Sequence, residues 1–326
     1  MRAIQCLAYG DPEALKLAEL PDPVAGPGEV VIRVEATGLG FVDGLQVRGA
    51  YQVKTPLPFV PGNEVAGTVV ALGAGAPAAL LGKRVLAMAG KGGLAEKAAI
   101  AAAACAVLPD NVESAAAASA LINYCTALYG FEDCGRLRAG ESVLVLGASG
   151  GVGMAAIDVA KSLGAFVVAA ASSAERRAAC LARGADVAVD YTAPDWRRAL
   201  EAALAGRPLD VVYDPVGGAW SETAFRCLAP GGRHLVVGFA SGEIAKLPLN
   251  LALLKRASLV GVDWGGHVRA DAAAGAELTQ RLIDRMAKGR IAPRPDSTYP
   301  LAAAPDVMAA LLTRGNIGKP VILPQN

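Results

Sequence analysis

Residues 141–173 read ESVLVLGASGGVGMAAIDVAKSLGAFVVAAASS, and this stretch decides the fold. Val143 to Leu146 is a short apolar run of the kind that a strand buried on both faces requires. The run breaks at Gly147-Ala148-Ser149-Gly150-Gly151-Val152-Gly153. Apolar positions then recur at helical spacing from Met154 to Leu163, and Gly164 supplies the stop. Phe166 to Ala170 is a second apolar run. Strand, glycine turn, helix, strand is the first half of a dinucleotide-binding unit. A diphosphate seated on the free N–H groups at the helix start would be held off by a Cβ at Gly150 or Gly151. Gly153 lets the helix pack close to the strand. Glycine turns also join strands to helices in folds that bind nothing, but both strands and the helix are present here. Ala148, Ser149, Gly150, Gly151, Val152 and Gly153 are therefore expected to contact a cofactor.

The end of the second strand addresses which nucleotide. A site for NAD places Asp or Glu about 20 residues after the glycines, to bond the ribose 2′-hydroxyl. Here the region reads Ala170-Ala171-Ser172-Ser173-Ala174-Glu175-Arg176-Arg177. Small hydroxylated residues followed by a guanidinium suit a 2′-phosphate, so Ser172, Ser173 and Arg176 predict NADPH. Glu175 is read as a first-turn acid favoured by the helix start, and a solvated helix face is the other reading of the arginines.

The length of 326 residues suggests two domains, each with material for its own core. Thirty-one Lys and Arg residues against 30 Asp and Glu leave nothing that suggests a nucleic-acid or acidic-membrane partner. No signal peptide is read at the start and no apolar run is long enough to span a bilayer, so a cytoplasmic protein is expected. Cys6, Cys105, Cys125, Cys134, Cys180 and Cys227 lack paired spacing and read as reduced, mostly buried thiols.

Residues 1 to about 120 read as β-rich, with strands expected at Met1 to Ala8, Glu29 to Thr37, Val65 to Leu72 and Arg84 to Met88. Turn clusters such as Pro21-Asp22-Pro23 separate them, and the spacing suggests a small barrel or sandwich. From Glu141 strands and helices alternate, with later strands at Val187 to Val189, Val211 to Asp214, His234 to Gly238 and Leu259 to Val262. That alternation implies an open, mainly parallel sheet. A helix over residues 270–288, then a further helix and a final strand, completes the tail.

A β-rich domain, a complete dinucleotide unit and a tail together resemble the medium-chain dehydrogenase/reductase superfamily. Within it the chain is similar to the quinone oxidoreductase (zeta-crystallin-like) branch. The stretches that carry the resemblance include Gly26-Pro27-Gly28-Glu29-Val30, Pro61-Gly62-Asn63-Glu64, Gly92-Gly93-Leu94-Ala95-Glu96 and the glycine turn. Asp214-Pro215-Val216-Gly217-Gly218, Leu228-Ala229-Pro230-Gly231-Gly232-Arg233 and Gly318-Lys319 continue it. The resemblance implies an α/β architecture: a GroES-like β-rich catalytic domain over residues 1–121, to which residues 265–326 return, and a Rossmann doubly wound parallel-sheet NADPH-binding domain over 122–264.

Alcohol dehydrogenases of the superfamily hold a catalytic zinc with Cys, His and Cys. The positions that line up here are Gly40, Asn63 and Ile122, and no cluster of four cysteines is present for a structural zinc, so no metal is expected. Of the two histidines, His234 is read at a strand start and His267 in a loop. Without a metal acid, a conjugated acceptor is the easier substrate, because the charge left by hydride transfer spreads into a ring or enolate. The expected activity is therefore NADPH-dependent two-electron reduction of quinones or related conjugated carbonyls. An enone or 2-alkenal double-bond reductase is the alternative enzyme, and a non-catalytic, crystallin-like NADPH-binding protein the alternative of another class.

By resemblance Tyr51 lines the acceptor pocket, Asp43 lies near the nicotinamide and Thr126 near its ribose. Each has a plain structural reading as well: a packed loop tyrosine, a cap on the following helix, and a threonine bonded to its own backbone. The resemblance also brings Tyr191, Gly238, Phe239, Ala240 and Asn316 to the cofactor. Tyr191 reads equally as a hydrophobic cover, and Lys319 as a solvated turn lysine. Gly40 stands where the family carries Asn, which removes a side-chain donor; Asn63 and Asn123 are candidate replacements. The apolar last strand, Ser258 to Val262, would leave an open sheet edge, which predicts a homodimer paired there.

Overall fold

In the computed structural model, which describes residues 1–313 and 315–325, the chain divides into two units. One comprises Met1–Ile122 and Thr279–Asn326, the other Asn123–Leu278.

The first unit opens with β1 (Arg2–Gln5) paired antiparallel to β2 (Lys16–Glu19). Then follow β3 (Glu29–Gly38), α1 (Phe41–Val47), β4 (Glu64–Leu72), β5 (Arg84–Met88), β6 (Lys97–Ala101) and β7 (Cys105–Val107). Helix α2 (Ser114–Ala118) ends this stretch; α3 (Leu121–Leu128) carries the chain across the boundary at Asn123, and a π-helical turn, Tyr129–Cys134, continues it in the second unit. Val30, Ile32 and Val34 of β3 point to one side at the two-residue period of a strand. There they close a core with Val65, Val69, Val85, Ala87 and Ile100.

The second unit is the alternation read from the glycine stretch. Its strands are β8 (Ser142–Val145), β9 (Phe166–Ala170), β10 (Val187–Val189), β11 (Val211–Asp214), β12 (Arg233–Val236) and β13 (Ser258–Gly261). Between and after them run α4 (Gly151–Ser162), α5 (Ala174–Arg183), α6 (Trp196–Leu204), α7 (Ala219–Cys227), α8 (Asn250–Lys255), α9 (Trp264–Ala270) and α10 (Ala272–Ala287). The sheet order is β10-β9-β8-β11-β12-β13, all parallel. The order reverses between β8 and β11, the place where open α/β sheets bind ligands beyond the carboxyl ends of their strands. Leu144, Val168, Val212, Phe225 and Leu228 fill the layer under the helices.

The chain returns to the first unit within α10, at Thr279, and continues with β14 (Ser297–Pro300), α11 (Ala304–Leu312) and β15 (Pro320–Leu323). β15 pairs with β3, completing a seven-stranded sheet ordered β14-β15-β3-β4-β5-β7, with β6 also on β3.

Two local readings are corrected. His267 lies within α9 rather than a loop: Asp263 accepts the Gly266 N–H at 2.7 Å and starts a helix that the pair Gly265-Gly266 disguises. The helix after the glycine turn begins at Gly151 rather than Met154, so the glycines form its first turn. Among the described residues no disulfide joins the cysteines; Cys6, Cys125 and Cys180 are buried and the others half-buried. Burial pushes the Cys180 thiol up to about 12, which keeps it protonated. Among the described residues no helix is long and apolar enough to cross a membrane.

Candidate functional site

In the second unit the turn after β8 and the turn after β9 are tied together. The first bond of α4 runs from Met154 N to Gly150 O at 2.8 Å, so the amides before it have no acceptor within the helix. No side chain caps this end. A Cβ at Gly150 would meet only Gly147 O, at 3.5 Å, and would fill the open side of the turn without striking protein. A Cβ at Gly153, by contrast, would lie 2.5 Å from Gly147 O, so glycine is needed there for packing. Ala148 N donates to Ala170 O at 3.0 Å, holding the turn against β9. Ser149 is buried, and its hydroxyl accepts from Arg176 Nη1 at 3.2 Å.

The serines after β9 divide their work. Ser173 is the N-cap of α5, accepting Arg176 N at 3.2 Å, while Ser172 is exposed. Arg177 is committed elsewhere, to Asp190 at 2.8 Å and to Ala171 O at 3.2 Å. The two arginines thus differ: Arg176 faces the glycine turn, and Arg177 braces the strand end. Glu175 lies in the first turn of α5, as expected. An open, uncapped helix start with a guanidinium beside it fits a phosphate-bearing cofactor.

A second turn at the same end of the sheet follows β11, and its organiser was missed in the sequence. Asp214 is buried and accepts Val216 N at 2.9 Å, Gly217 N at 2.8 Å and Ser221 Oγ at 2.5 Å. His234 Nε2 lies 2.9 Å from the same carboxylate. Burial alone would raise its pKa, but His234, Ser221 and the turn amides hold it below its ordinary value. This turn anchors the segment after β12: Ala240 N donates to Pro215 O at 3.0 Å, and Gly238 N to Asp214 O at 3.3 Å. Phe239 between them is exposed. Tyr191 stacks edge-on against Trp220, centroids 5.2 Å apart, as part of the apolar cover.

In the first unit the chemistry-bearing residues form a buried charge cluster. Asp43 is the third residue of α1, not the residue before it, and its Oδ2 accepts Gly40 N at 2.8 Å. Oδ1 accepts Asn63 N at 3.0 Å and Asn63 Nδ2 at 2.7 Å, and Gln46 bonds Asn63 in turn. The Asn63 amide is thereby fully occupied. Glu64 accepts Ile122 N at 2.9 Å through Oε2 and pairs with Lys319 through Oε1. Lys319 is only 4% exposed, which corrects its reading as a solvated turn lysine. Burial pushes both carboxyls upward, and the Lys319 ammonium offsets part of that rise.

Two glycines let the lysine in. Gly318 has φ +68°, and any Cβ there would collide with Asp296, whose carboxylate accepts Lys319 N at 2.7 Å. A Cβ at Gly38 would strike the Ala118 carbonyl oxygen at 2.0 Å first and would also press on Lys319 Cε at 3.0 Å. Tyr51 lies half-buried in the loop after α1, Thr126 half-buried within α3, and Asn316 half-buried before Gly318. Asn123 is buried in α3.

The donor set does not fit a catalytic zinc. Gly40 has no side chain, Asn63 is spent on Asp43 and Gln46, and Ile122 is apolar. Among the described residues no group of three or more His, Cys, Asp or Glu could hold a metal ion. Instead Gly40, Asn63 and Ile122 each donate a backbone N–H to the carboxylates around Lys319.

Two families match the chain: the alcohol dehydrogenase GroES-like domain over residues 26–110, and the zinc-binding dehydrogenase family over residues 151–281. Quinone oxidoreductase-like protein 2 of Rattus norvegicus is 34% identical, covering 98% of this chain and 91% of its own. The quinone oxidoreductase of the same species is 32% identical, covering 99% and 98%. Among solved structures, the quinone oxidoreductase of Thermus thermophilus, also determined in complex with NADPH, is similar with TM-score 0.82. It is 34% identical and covers 99% of this chain and 100% of that one.

Proposed function

The chain belongs to the quinone oxidoreductase branch of the medium-chain dehydrogenase/reductase superfamily, and from that premise we propose that it reduces quinones or related conjugated carbonyls with NADPH. The observation that carries this reading is the cradle at the amino end of α4, with Arg176 tied to Ser149 at 3.2 Å. Its open amides receive the diphosphate and Arg176 the 2′-phosphate, while Ser172 lies exposed beside them. Bound there, NADPH supplies the hydride. Gly238, Phe239, Ala240 and Asn316 complete its seat, with Tyr191 covering the adenosine end and Thr126 near the nicotinamide ribose.

On the acceptor side Tyr51 offers one hydroxyl to the oxygen that gains charge, and Asp43 fixes the start of α1. The occupied Asn63 amide argues that a metal acid takes no part. A homodimer forms along β13, an edge strand whose Leu259 is 56% exposed. The test is NADPH oxidation over a panel of quinones, enones and 2-alkenals. Turnover of a quinone or an enone supports the proposal. NADPH binding without turnover of any acceptor replaces it with a non-catalytic, crystallin-like role.

A further inference from the structure

The geometry points to Lys319 as the group that receives the acceptor's oxygen, through a window left by Gly40. This rests on the reading of the chain as a reductase of conjugated carbonyls, and it adds the electrophile.

An ammonium carries three N–H donors. Lys319 Nζ is buried, and among the described residues its one hydrogen-bond acceptor is Glu64. Two donors of a buried cation are left to be satisfied from outside the protein's own groups, an arrangement that costs free energy unless something fills it. The space next to them is the missing side chain of Gly40. A Cβ built there would lie 3.4 Å from Lys319 Nζ and 3.7 Å from Asp43 Oδ2, with no other atom beyond its chain neighbours within 4 Å. Gly40 itself is half-buried, so this face is not sealed.

Nothing in the backbone asks for glycine. Gly40 has φ −132° and ψ 170°, an extended conformation open to any residue, and as N-cap it forgoes the side-chain cap that Ser or Asp would give. What the glycine provides is access to the ammonium. The neighbouring charges select what enters. Asp43 and Glu64 place two carboxylates around one lysine, so a preformed anion meets repulsion. A neutral carbonyl oxygen does not, and it takes on negative charge only as it reacts.

For a conjugated enone the step balances as follows. The hydride from the dihydronicotinamide forms the new C–H bond at the β-carbon. The alkene π pair moves to the bond between the α-carbon and the carbonyl carbon, and the carbonyl π pair becomes a lone pair on oxygen. Lys319 hydrogen-bonds that oxygen as charge develops, and the enolate is protonated by water.

Two variants test this. Gly40→Ala closes the window without backbone strain. Lys319→Met combined with Glu64→Gln removes the cation together with the carboxylate that is hydrogen-bonded to it. Turnover is read with cyclohex-2-enone and a benzoquinone, NADPH affinity is read separately, and the carbonyl stretch of enzyme-bound cyclohex-2-enone is read by difference infrared without turnover. The expected result is a carbonyl band shifted down in the wild type and unshifted in both variants. The double variant should lose about a hundredfold to a thousandfold in kcat, and Gly40→Ala about tenfold or more in kcat/KM, with NADPH affinity kept. A wild type that turns over these acceptors while both variants match it in rate and band position overturns the role of Lys319 and leaves the reductase reading standing. A wild type that turns over neither acceptor defeats the reductase reading, and the infrared band then decides: a shift lost in Gly40→Ala sustains the oxygen site, and an unshifted band ends it.

Discussion

Arg176 reaches from the first turn of α5 to a buried hydroxyl in the neighbouring glycine turn: its Nη1 donates to Ser149 Oγ at 3.2 Å, across the ends of β8 and β9. The guanidinium is thus held beside the glycine turn before any ligand arrives, which lowers the ordering cost of binding a phosphate there.

Arg176→Ala should weaken NADPH binding by about 1.5–3 kcal/mol, the worth of a hydrogen bond to a charged group, and hardly touch NADH. Calorimetric titration with both cofactors checks it. Equal weakening of the two would remove the 2′-phosphate assignment.

Activity should survive dialysis against a chelator, because the three positions that would bear zinc ligands hold Gly40, Asn63 and Ile122. Loss of turnover with recovery on adding zinc would contradict the donor-set argument.

Tyr51→Phe should lower kcat by about tenfold to a thousandfold, the usual cost of one donor to developing charge, while NADPH affinity stays constant. An unchanged kcat on every good acceptor would make Tyr51 a packing residue.

Leu259→Lys should convert a dimer to a monomer, since β13 lies at the sheet edge and its register across a two-fold axis would bring like charges together. Light scattering at micromolar concentration decides, and a wild-type monomer would dismiss the edge pairing.

Asp214→Asn should cost about 2 kcal/mol, because a charged acceptor of two amides, a hydroxyl and an imidazole is lost. The folded pKa of Asp214 lies below its unfolded value, so the unfolded state binds the proton more tightly. Its contribution is present above about pH 3.9 and fades as pH falls through the lower folded value. Denaturant unfolding between pH 2 and 5 should show a steeper loss in the wild type than in Asp214→Asn; parallel curves would reject the linkage.

Local signals were legible where local forces act. Val211–Asp214 and Arg84–Met88 are strands with the bounds that their apolar runs predict. β6 and β7 escaped because residues such as Ala98, Ala99, Ala101 and Ala106 carry little strand preference, and pairing with β3 and β5 holds them. The glycine turn was legible because a strand end, a tight turn and a helix start leave their mark within a few residues. Lys319 was not, since nothing near Gly318 names a partner: Glu64 lies 255 positions away, and only the closing of β15 onto β3 joins them. His234 likewise gains its meaning from Asp214, 20 positions earlier on the neighbouring strand.

The same separation orders events during synthesis. A ribosome adds about 5–20 residues per second, so the carboxylate of Glu64 exists for roughly ten to fifty seconds before the ammonium that will neutralise it has been made. Residues 123–278 are complete before Lys319 emerges, and their sheet needs no strand from either end of the chain. The second unit can therefore be finished while β3 still waits for β15, and a growing chain would carry one completed half alongside an unsealed one.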